Sequence, residues 1–423
     1  MPLRIAMISD HASPLAAAGS VDSGGQNIYV AEVARNLVRL GHTVDVFTRR
    51  DDPAQCPIAA CGGVRVVHVP AGPPEFVRKE DLLPMMPEFA RFVREFCAAE
   101  GGYDLAHANF FMSGVVAAEL KRALGIPFVM TFHALGLVRQ FHQGDADEFP
   151  RERIAIERQL VTEADAVIAE CPQDLDDLVT LYEARPERIP VIPCGFEPKE
   201  FWPIDRRFAR KALGLEASEP LVLHLGRLVP RKGVDNVIRG LARLASEHEI
   251  AAKLLIVGGN SDVPDVRLTP EIGRLRGIAE SEGIGNRVVF TGRRSRELLK
   301  LYYSAADAFV TTPWYEPFGI TPLEAMACGT PVIGSNVGGI KYSVVDNETG
   351  FLVPPNEPDA LAQRLARLCS NRRLAKRLAR DAARRAKARF TWRAVARSIA
   401  ALYEDVESGR ALKGALQRIA AAA

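Results

Sequence analysis

The chain has 423 residues, 48% of them hydrophobic and 25% charged, with a formal net charge of +2. At ~150 residues per domain this length fits two domains with sizeable cores, and the charge is too small to mark a nucleic-acid binder. No run of ~18 apolar residues is present, so no membrane span is expected.

Short apolar runs alternate with amphipathic patterns. In the first half, strands are expected at Leu3–Ile8, Thr43–Thr48, Val64–Val69, Leu105–Ala108, Phe128–Thr131, Ala166–Ala169 and Ile189–Ile192. Helices are expected between them, at Gly25–Leu40, Glu80–Ala99, Ser113–Leu124, Glu152–Thr162 and Pro172–Leu181. In the first helix Ile28, Val33, Leu37 and Leu40 recur at helical spacing, and Gly41 stops it. A break falls near Cys194–Pro203, after which the alternation restarts. Strands are then expected at Leu221–Leu225, Lys253–Val257, Val288–Thr291, Ala308–Thr311 and Pro331–Gly334. Their helices are Val234–Ala245, Pro270–Glu282, Arg296–Tyr303, Pro322–Cys328 and Asp359–Leu368. The pattern predicts two doubly wound parallel-sheet α/β domains, 1–197 and 198–391, facing across a cleft. A last helix from about Trp392, within 392–423, is expected to cross back onto the first domain.

Residues Asn371–Arg389 are strongly basic, but mostly alanine otherwise, with Leu374 and Leu378 as the main apolar anchors. A solvated helix face is expected, and weak peripheral contact with an anionic membrane is the lesser reading. The cysteines number seven, and Cys56 and Cys61 lack a second pair, so a zinc site is not expected. Reduced thiols in a cytoplasm fit better. The first residues read as a strand rather than a signal peptide.

In open parallel sheets, ligands bind beyond the carboxyl ends of the strands. Four motifs fall there. Gly24-Gly25-Gln26-Asn27 opens the first helix, whose free amides and positive dipole end suit a phosphate. No Gly-x-Gly-x-x-Gly follows the first strand, so the dinucleotide fingerprint is missing. His133 follows the strand ending at Thr131. Arg227 and Lys232, in Gly226-Arg-Leu-Val-Pro-Arg-Lys-Gly233, offer a fork and a point charge to a diphosphate. In Glu316-Pro-Phe-Gly-Ile-Thr-Pro-Leu-Glu324, two carboxylates flank a helix start. The free amides of Gly319, Ile320 and Thr321 would face an anion between them, while the carboxylates grip vicinal hydroxyls. Asp145-Ala-Asp147 and Asp174-Leu-Asp176 match an Asp-x-Asp metal signature, but neither follows a strand, and no metal is expected.

In this order, Gly24-Gly25-Gln26, His133, Arg227 with Lys232, and Glu316…Glu324 around Phe318-Gly319 resemble glycosyltransferase family 4, the retaining transferases of GT-B fold. The resemblance spans nearly the whole chain. Ser13-Pro14…Asp22-Ser-Gly-Gly-Gln-Asn-Ile-Tyr-Val30 resembles the mycothiol-pathway enzymes that glycosylate inositol phosphate. Gly-Gly-Gln and Phe132-His133-Ala-Leu-Gly136 are also similar to sucrose-phosphate synthases, whose acceptor is fructose 6-phosphate. Phe110 and Ala134 stand where the mycothiol enzymes carry Tyr and Thr, and both changes remove hydroxyls.

The resemblance implies a nucleoside-diphosphate sugar such as UDP-glucose as donor, with no further cofactor. Arg227, Lys232 and the Gly25 amide would neutralise the leaving diphosphate. Glu324 would hold the ribose, Glu316 with Phe318, Gly319 and Ile320 the sugar, and Arg293 the base. His133 would contact the donor sugar near the reacting face. Gln26, Asn27, Lys79 and Arg153 would hold a phosphorylated acceptor, fructose 6-phosphate before inositol phosphate or a lipid or polysaccharide. A GT-B epimerase and a non-catalytic sugar-nucleotide sensor are the other readings. Oligomeric state is open.

Overall fold

The computed structural model describes residues 1–16 and 24–412. Asp22 and Ser23 of the resemblance and the end of the expected last helix lie outside them. The described chain forms two compact units, residues 1–16, 24–193 and 392–412, and residues 194–391.

The first unit runs β1 (Arg4–Ile8), α1 (Gly25–Arg39), β2 (Thr43–Arg49), β3 (Ile58–Cys61), β4 (Val64–Val69), α2 (Met86–Ala99), β5 (Leu105–Asn109), α3 (Phe111–Leu124), β6 (Phe128–Thr131), α4 (Gly136–Gln143), α5 (Glu152–Glu163), β7 (Ala166–Ile168) and α6 (Pro172–Tyr182). Its sheet has the order β3-β4-β2-β1-β5-β6-β7. All neighbours are parallel except β3, which pairs antiparallel with β4. β1 is central: Ile5 sits between Val44 and Leu105. The sheet is buried on both faces, as apolar runs such as Phe128–Thr131 require. α1 turns Tyr29, Val30, Val33 and Leu37 inward.

The second unit runs α7 (Arg206–Ala212), β8 (Leu221–Leu225), α8 (Val234–His248), β9 (Lys253–Val257), α9 (Pro270–Ser281), β10 (Val288–Gly292), α10 (Arg296–Ala305), β11 (Ala308–Thr311), α11 (Ile320–Ala327), β12 (Val332–Ser335), α12 (Gly338–Ser343), β13 (Gly350–Val353), α13 (Pro358–Ser370) and α14 (Arg372–Arg389). Its sheet is wholly parallel, in the order β10-β9-β8-β11-β12-β13. α14 is the basic helix. It buries Leu378, Ala379, Ala382 and Ala386, while Arg372, Arg373, Lys376, Arg380, Arg384 and Lys387 are exposed.

The last helix, α15 (Trp392–Glu407), belongs to the first unit and packs on α1. Tyr403 Oη lies 2.6 Å from His107 Nδ1, and Thr131 Oγ1 lies 2.9 Å from Nε2. Burial lowers the His107 pKa to about 3, so this ring is a neutral link between helix and sheet.

The expected strand Ile189–Ile192 does not form; only a single bridge joins Ala169 to Val191. Pro190 and Pro193 have no amide to donate, so a ladder cannot extend there. Short elements escape the periodicity altogether: β3, β13, α4, α7 and α12 have four to eight residues each.

Candidate functional site

Each sheet reverses its strand order once, at β1/β5 in the first unit and at β8/β11 in the second. Helices leave adjacent strands toward opposite faces there, and the carboxyl ends open a crevice. The sequence motifs converge on these two points.

At the first point, Gln26 Nε2 donates to the Asn109 carbonyl oxygen at 3.2 Å, joining the start of α1 to the end of β5. Asn27 is buried; its Oδ1 accepts from Gly24 N at 3.0 Å and its Nδ2 donates to the Ser13 carbonyl at 3.0 Å. Gly25, the first residue of α1, is exposed, and the Asn27 side chain caps the Gly24 amide before it. His133 has φ +58°. Its Nδ1 lies 3.1 Å from Glu170 Oε1 and its Nε2 lies 3.0 Å from Asn109 Oδ1. Asn109 Nδ2 points to the carbonyls of Ile8 and His107, at 3.3 and 3.4 Å, which turns its oxygen toward His133. The imidazole also meets Tyr29 edge-on, ring centroids 4.8 Å apart. Both ring nitrogens are therefore engaged within the protein, and the loop behind β6 is fixed.

A constellation that sequence reasoning missed stands beside it. His11 Nδ1 lies 2.8 Å from the buried Asp10 Oδ2, and Ser113 Oγ donates to Asp10 Oδ1 at 2.5 Å. The His11 ring packs edge-on to Phe110. The strand-end argument applied to His133 applies equally to His11, three residues past β1, and would have found it.

Arg153 is only 2% exposed. Its Nε donates to Glu157 Oε1 at 2.7 Å and its Nη2 to the Ala134 carbonyl at 2.5 Å. The rings of Phe110, Phe111 and Phe149 surround the guanidinium, with centroids 4.5 to 4.9 Å from its carbon. Nη1 is buried without a hydrogen-bond partner. Leaving a charged donor so costs ~1–3 kcal/mol or more, which an anionic ligand would recover. Lys79 opens a 3-10 turn, 3.7 Å from Glu80 Oε1.

At the second point the β8 and β11 loops are stitched together. Trp314 N donates to the Arg231 carbonyl at 2.9 Å, and Thr312 Oγ1 to that of Gly233 at 2.9 Å. The Lys232 ammonium donates to Glu316 Oε2. Burial depresses the Lys232 pKa. Burial works to raise that of Glu316, but Lys232, Arg231 and Arg227 overcome it and hold the carboxyl below its ordinary range. Arg227 itself is exposed.

Gly319 caps α11 with φ +92°, and no side chain satisfies the first amides of that helix. The backbone around Phe318 is pressed against the start of α12. A Cβ on Gly338 would stand 1.9 Å from the Glu316 carbonyl oxygen, and one on Gly339 would stand 2.4 Å from Phe318 Cα. Glu324, one turn inside α11, is 2% exposed. It accepts from Arg296 Nη1 at 3.0 Å and from Tyr303 Oη at 2.9 Å. Burial nevertheless raises its pKa against the pull of both partners. Arg293 is set apart from this pair: its Nε donates to Asp262 Oδ1 at 3.0 Å, beside the β9–α9 loop.

The metal decoys have other partners. Asp147 pairs with Arg139 at 2.8 Å and Asp174 accepts from Glu170 N at 2.9 Å. Among the described residues no group of three acidic, histidine or cysteine side chains could hold a metal. No helix among them is long and apolar enough to cross a membrane.

Two family models match the chain, the "Glycosyl transferase 4-like domain" over residues 24–195 and "Glycosyl transferases group 1" over residues 205–385. The D-inositol 3-phosphate glycosyltransferase of Acidothermus cellulolyticus is 37% identical, over 99% of this chain and 94% of its own. That of Rhodococcus jostii is 38% identical over 87% and 82%. Among solved structures, the sucrose-phosphate synthase of Thermosynechococcus elongatus superposes with a TM-score of 0.88 at 35% identity, covering 96% of this chain and 99% of its own. With two parallel-sheet α/β units, the strand-end motifs, two matching family models and relatives matched over most of their length, the chain belongs to glycosyltransferase family 4 and is a GT-B transferase enzyme.

Proposed function

We propose that the enzyme transfers a hexose, with retention, from a nucleoside-diphosphate sugar to a hydroxyl of a phosphorylated acceptor. Arg153 carries the acceptor half of this reading: a buried guanidinium with one unpaired nitrogen suits an anionic oxygen. Fructose 6-phosphate is the first candidate, supported by the likeness to a sucrose-phosphate synthase. Inositol phosphate is the second, supported by relatives named as D-inositol 3-phosphate glycosyltransferases. Phe110 and Ala134 favour the first, because they lack the hydroxyls expected for the second.

In this account Arg227 and Lys232 meet the charge that grows on the leaving diphosphate, helped by the Gly25 amide. These cations supply what a divalent metal would, so chelators leave the rate unchanged. Glu316 turns from Lys232 to the sugar hydroxyls when the diphosphate takes the ammonium. The Phe318, Gly319 and Ile320 backbone lines the same subsite. Glu324 uses its remaining lone pairs for the ribose, and Arg293 meets the base, with uridine the first to test. His133 stands at the donor sugar. Gln26, Asn27, Lys79 and Arg153 hold the acceptor. Attack comes from the face the leaving group departs, and the leaving phosphate takes the acceptor proton.

The test is a panel of uridine-, adenosine- and guanosine-diphosphate sugars against fructose 6-phosphate, inositol phosphate and a lipid acceptor, read by nucleoside-diphosphate release. The account expects faster release with a phosphorylated acceptor than with its unphosphorylated counterpart, and a raised acceptor KM in Lys79→Ala and Arg153→Ala. Unchanged acceptor KM in both variants, or an epimerised donor formed without acceptor, would count against it.

A further inference from the structure

Behind Arg153 lies a polar cluster that the proposed reaction does not use. Glu157 is fully buried, yet its carboxylate has acceptor work on both oxygens. Gly136 N donates to it at 2.9 and 3.1 Å, and Arg153 Nε at 2.7 Å. The Tyr182 hydroxyl donates to Oε2 and accepts from Leu137 N at 2.9 Å. Burial, with Glu157 beside it, pushes the Tyr182 phenol above its ordinary range, so it stays a donor.

Two structures are thereby held by one carboxylate. The first is the start of α4: the amides of Gly136 and Leu137, which an isolated helix would leave unpaired, are capped from α5 and α6. That start lies three residues past His133, and the Ala134 carbonyl between them accepts Arg153 Nη2 at 2.5 Å. The second is the Arg153 rotamer. With Nε on Glu157 and Nη2 on Ala134, Nη1 is the nitrogen left over. The fit is close, since a Cβ on Gly136 would stand 2.9 Å from Glu157 Oε2 and 3.1 Å from Arg153 Nε.

We infer that Glu157, backed by Tyr182, is a positioning residue that fixes the acceptor's anion subsite. It aims Arg153 Nη1 at the acceptor's anionic group by holding Nε while the Ala134 carbonyl holds Nη2. The inference rests on the phosphorylated-acceptor reading. A purely space-filling role for Glu157 would be served by glutamine; a positioning role needs the charge that pins the guanidinium.

The experiment compares full-length wild type, Glu157→Gln and Tyr182→Phe with a phosphorylated acceptor and its unphosphorylated counterpart. Melting curves accompany the kinetics. In Glu157→Gln, KM for the phosphorylated acceptor should rise about tenfold, the effect of one charge-assisted bond. The donor KM and the rate with the unphosphorylated acceptor should stay within about twofold, narrowing the preference for phosphate. Tyr182→Phe removes one hydroxyl, and its preference should fall in the same direction by a smaller factor. A wild type that prefers the phosphorylated acceptor, with variants that keep that preference undiminished, overturns this inference alone. Donor and acceptor constants that worsen equally in both variants do the same, since they mark a structural role. A wild type indifferent to the phosphate overturns the reading beneath it as well.

Discussion

Lys232 and Glu316 stand 84 residues apart in the chain, yet the ammonium of one donates to the carboxylate of the other. They meet because their loops leave the two strands, β8 and β11, that flank the reversal of the second sheet. Under the proposed function, the cation assigned to the leaving group and the carboxylate assigned to the sugar hydroxyls are thus ion-paired with each other.

Removing one partner should be costly twice. Lys232→Ala should lower kcat about a hundredfold, the effect of one lost transition-state donor at ~3 kcal/mol. It also leaves Glu316, 12% exposed, without its closest cation. Chemical denaturation should show a loss of roughly 3 kcal/mol, and the double variant with Glu316→Gln should recover part of it.

Gly339→Ala should disturb the proposed donor subsite through its backbone. Its Cβ would press on the Phe318 backbone, which cannot swing aside as a side chain can. A destabilisation of about 1–3 kcal/mol is expected. Donor KM should rise in steady-state kinetics while acceptor KM holds.

Acid should loosen the first unit through His107. An unfolded chain binds a proton there near pH 6.5, whereas the buried ring waits until about 3. The unfolded state therefore holds more protons between these values, and stability falls as pH falls through that window. Denaturation midpoints measured across the window should show a flatter slope in His107→Asn than in wild type. Glu316 acts in the opposite sense to a raised carboxyl. Its contribution is full above pH 4.5 and lost as pH falls through its depressed native value.

Phe110→Tyr with Ala134→Thr restores the two hydroxyls expected for inositol phosphate. Each added hydrogen bond contributes about 0.5–1.5 kcal/mol. The pair should raise kcat/KM for inositol phosphate relative to fructose 6-phosphate by roughly tenfold or more, measured as competing product formation.

The doubly wound architecture was legible because its strands are apolar runs buried on both faces and its long helices carry a clear apolar side; Leu221–Leu225 and Lys253–Val257 have the same bounds in sequence and structure. β3 was not, because a four-residue edge strand exposed at Ile58 has no alternation to read. The strand-end placement of the candidate site was legible where motifs follow strands, as at His133, Lys232 and Glu316. The site was illegible where the signal is only a distant partner. Arg153 and Glu157 are an i,i+4 pair on α5, a spacing the sequence shows, but the bonds of Glu157 to Gly136 and Tyr182 come only with the fold, and Glu170 and Asn109 meet His133 only through the order of β5, β6 and β7. His11 was legible by its place just past β1, whereas the meeting of Asp10 with Ser113, 103 residues apart, comes only with the fold.

The most direct measurement is the anomeric configuration of the product, read from the proton coupling of the new linkage in NMR during transfer from an α-linked nucleoside-diphosphate hexose to fructose 6-phosphate and to inositol phosphate. The account predicts an α-linked product, formed faster when the acceptor carries its phosphate. A β-linked product, or equal transfer to the unphosphorylated acceptor, would contradict it.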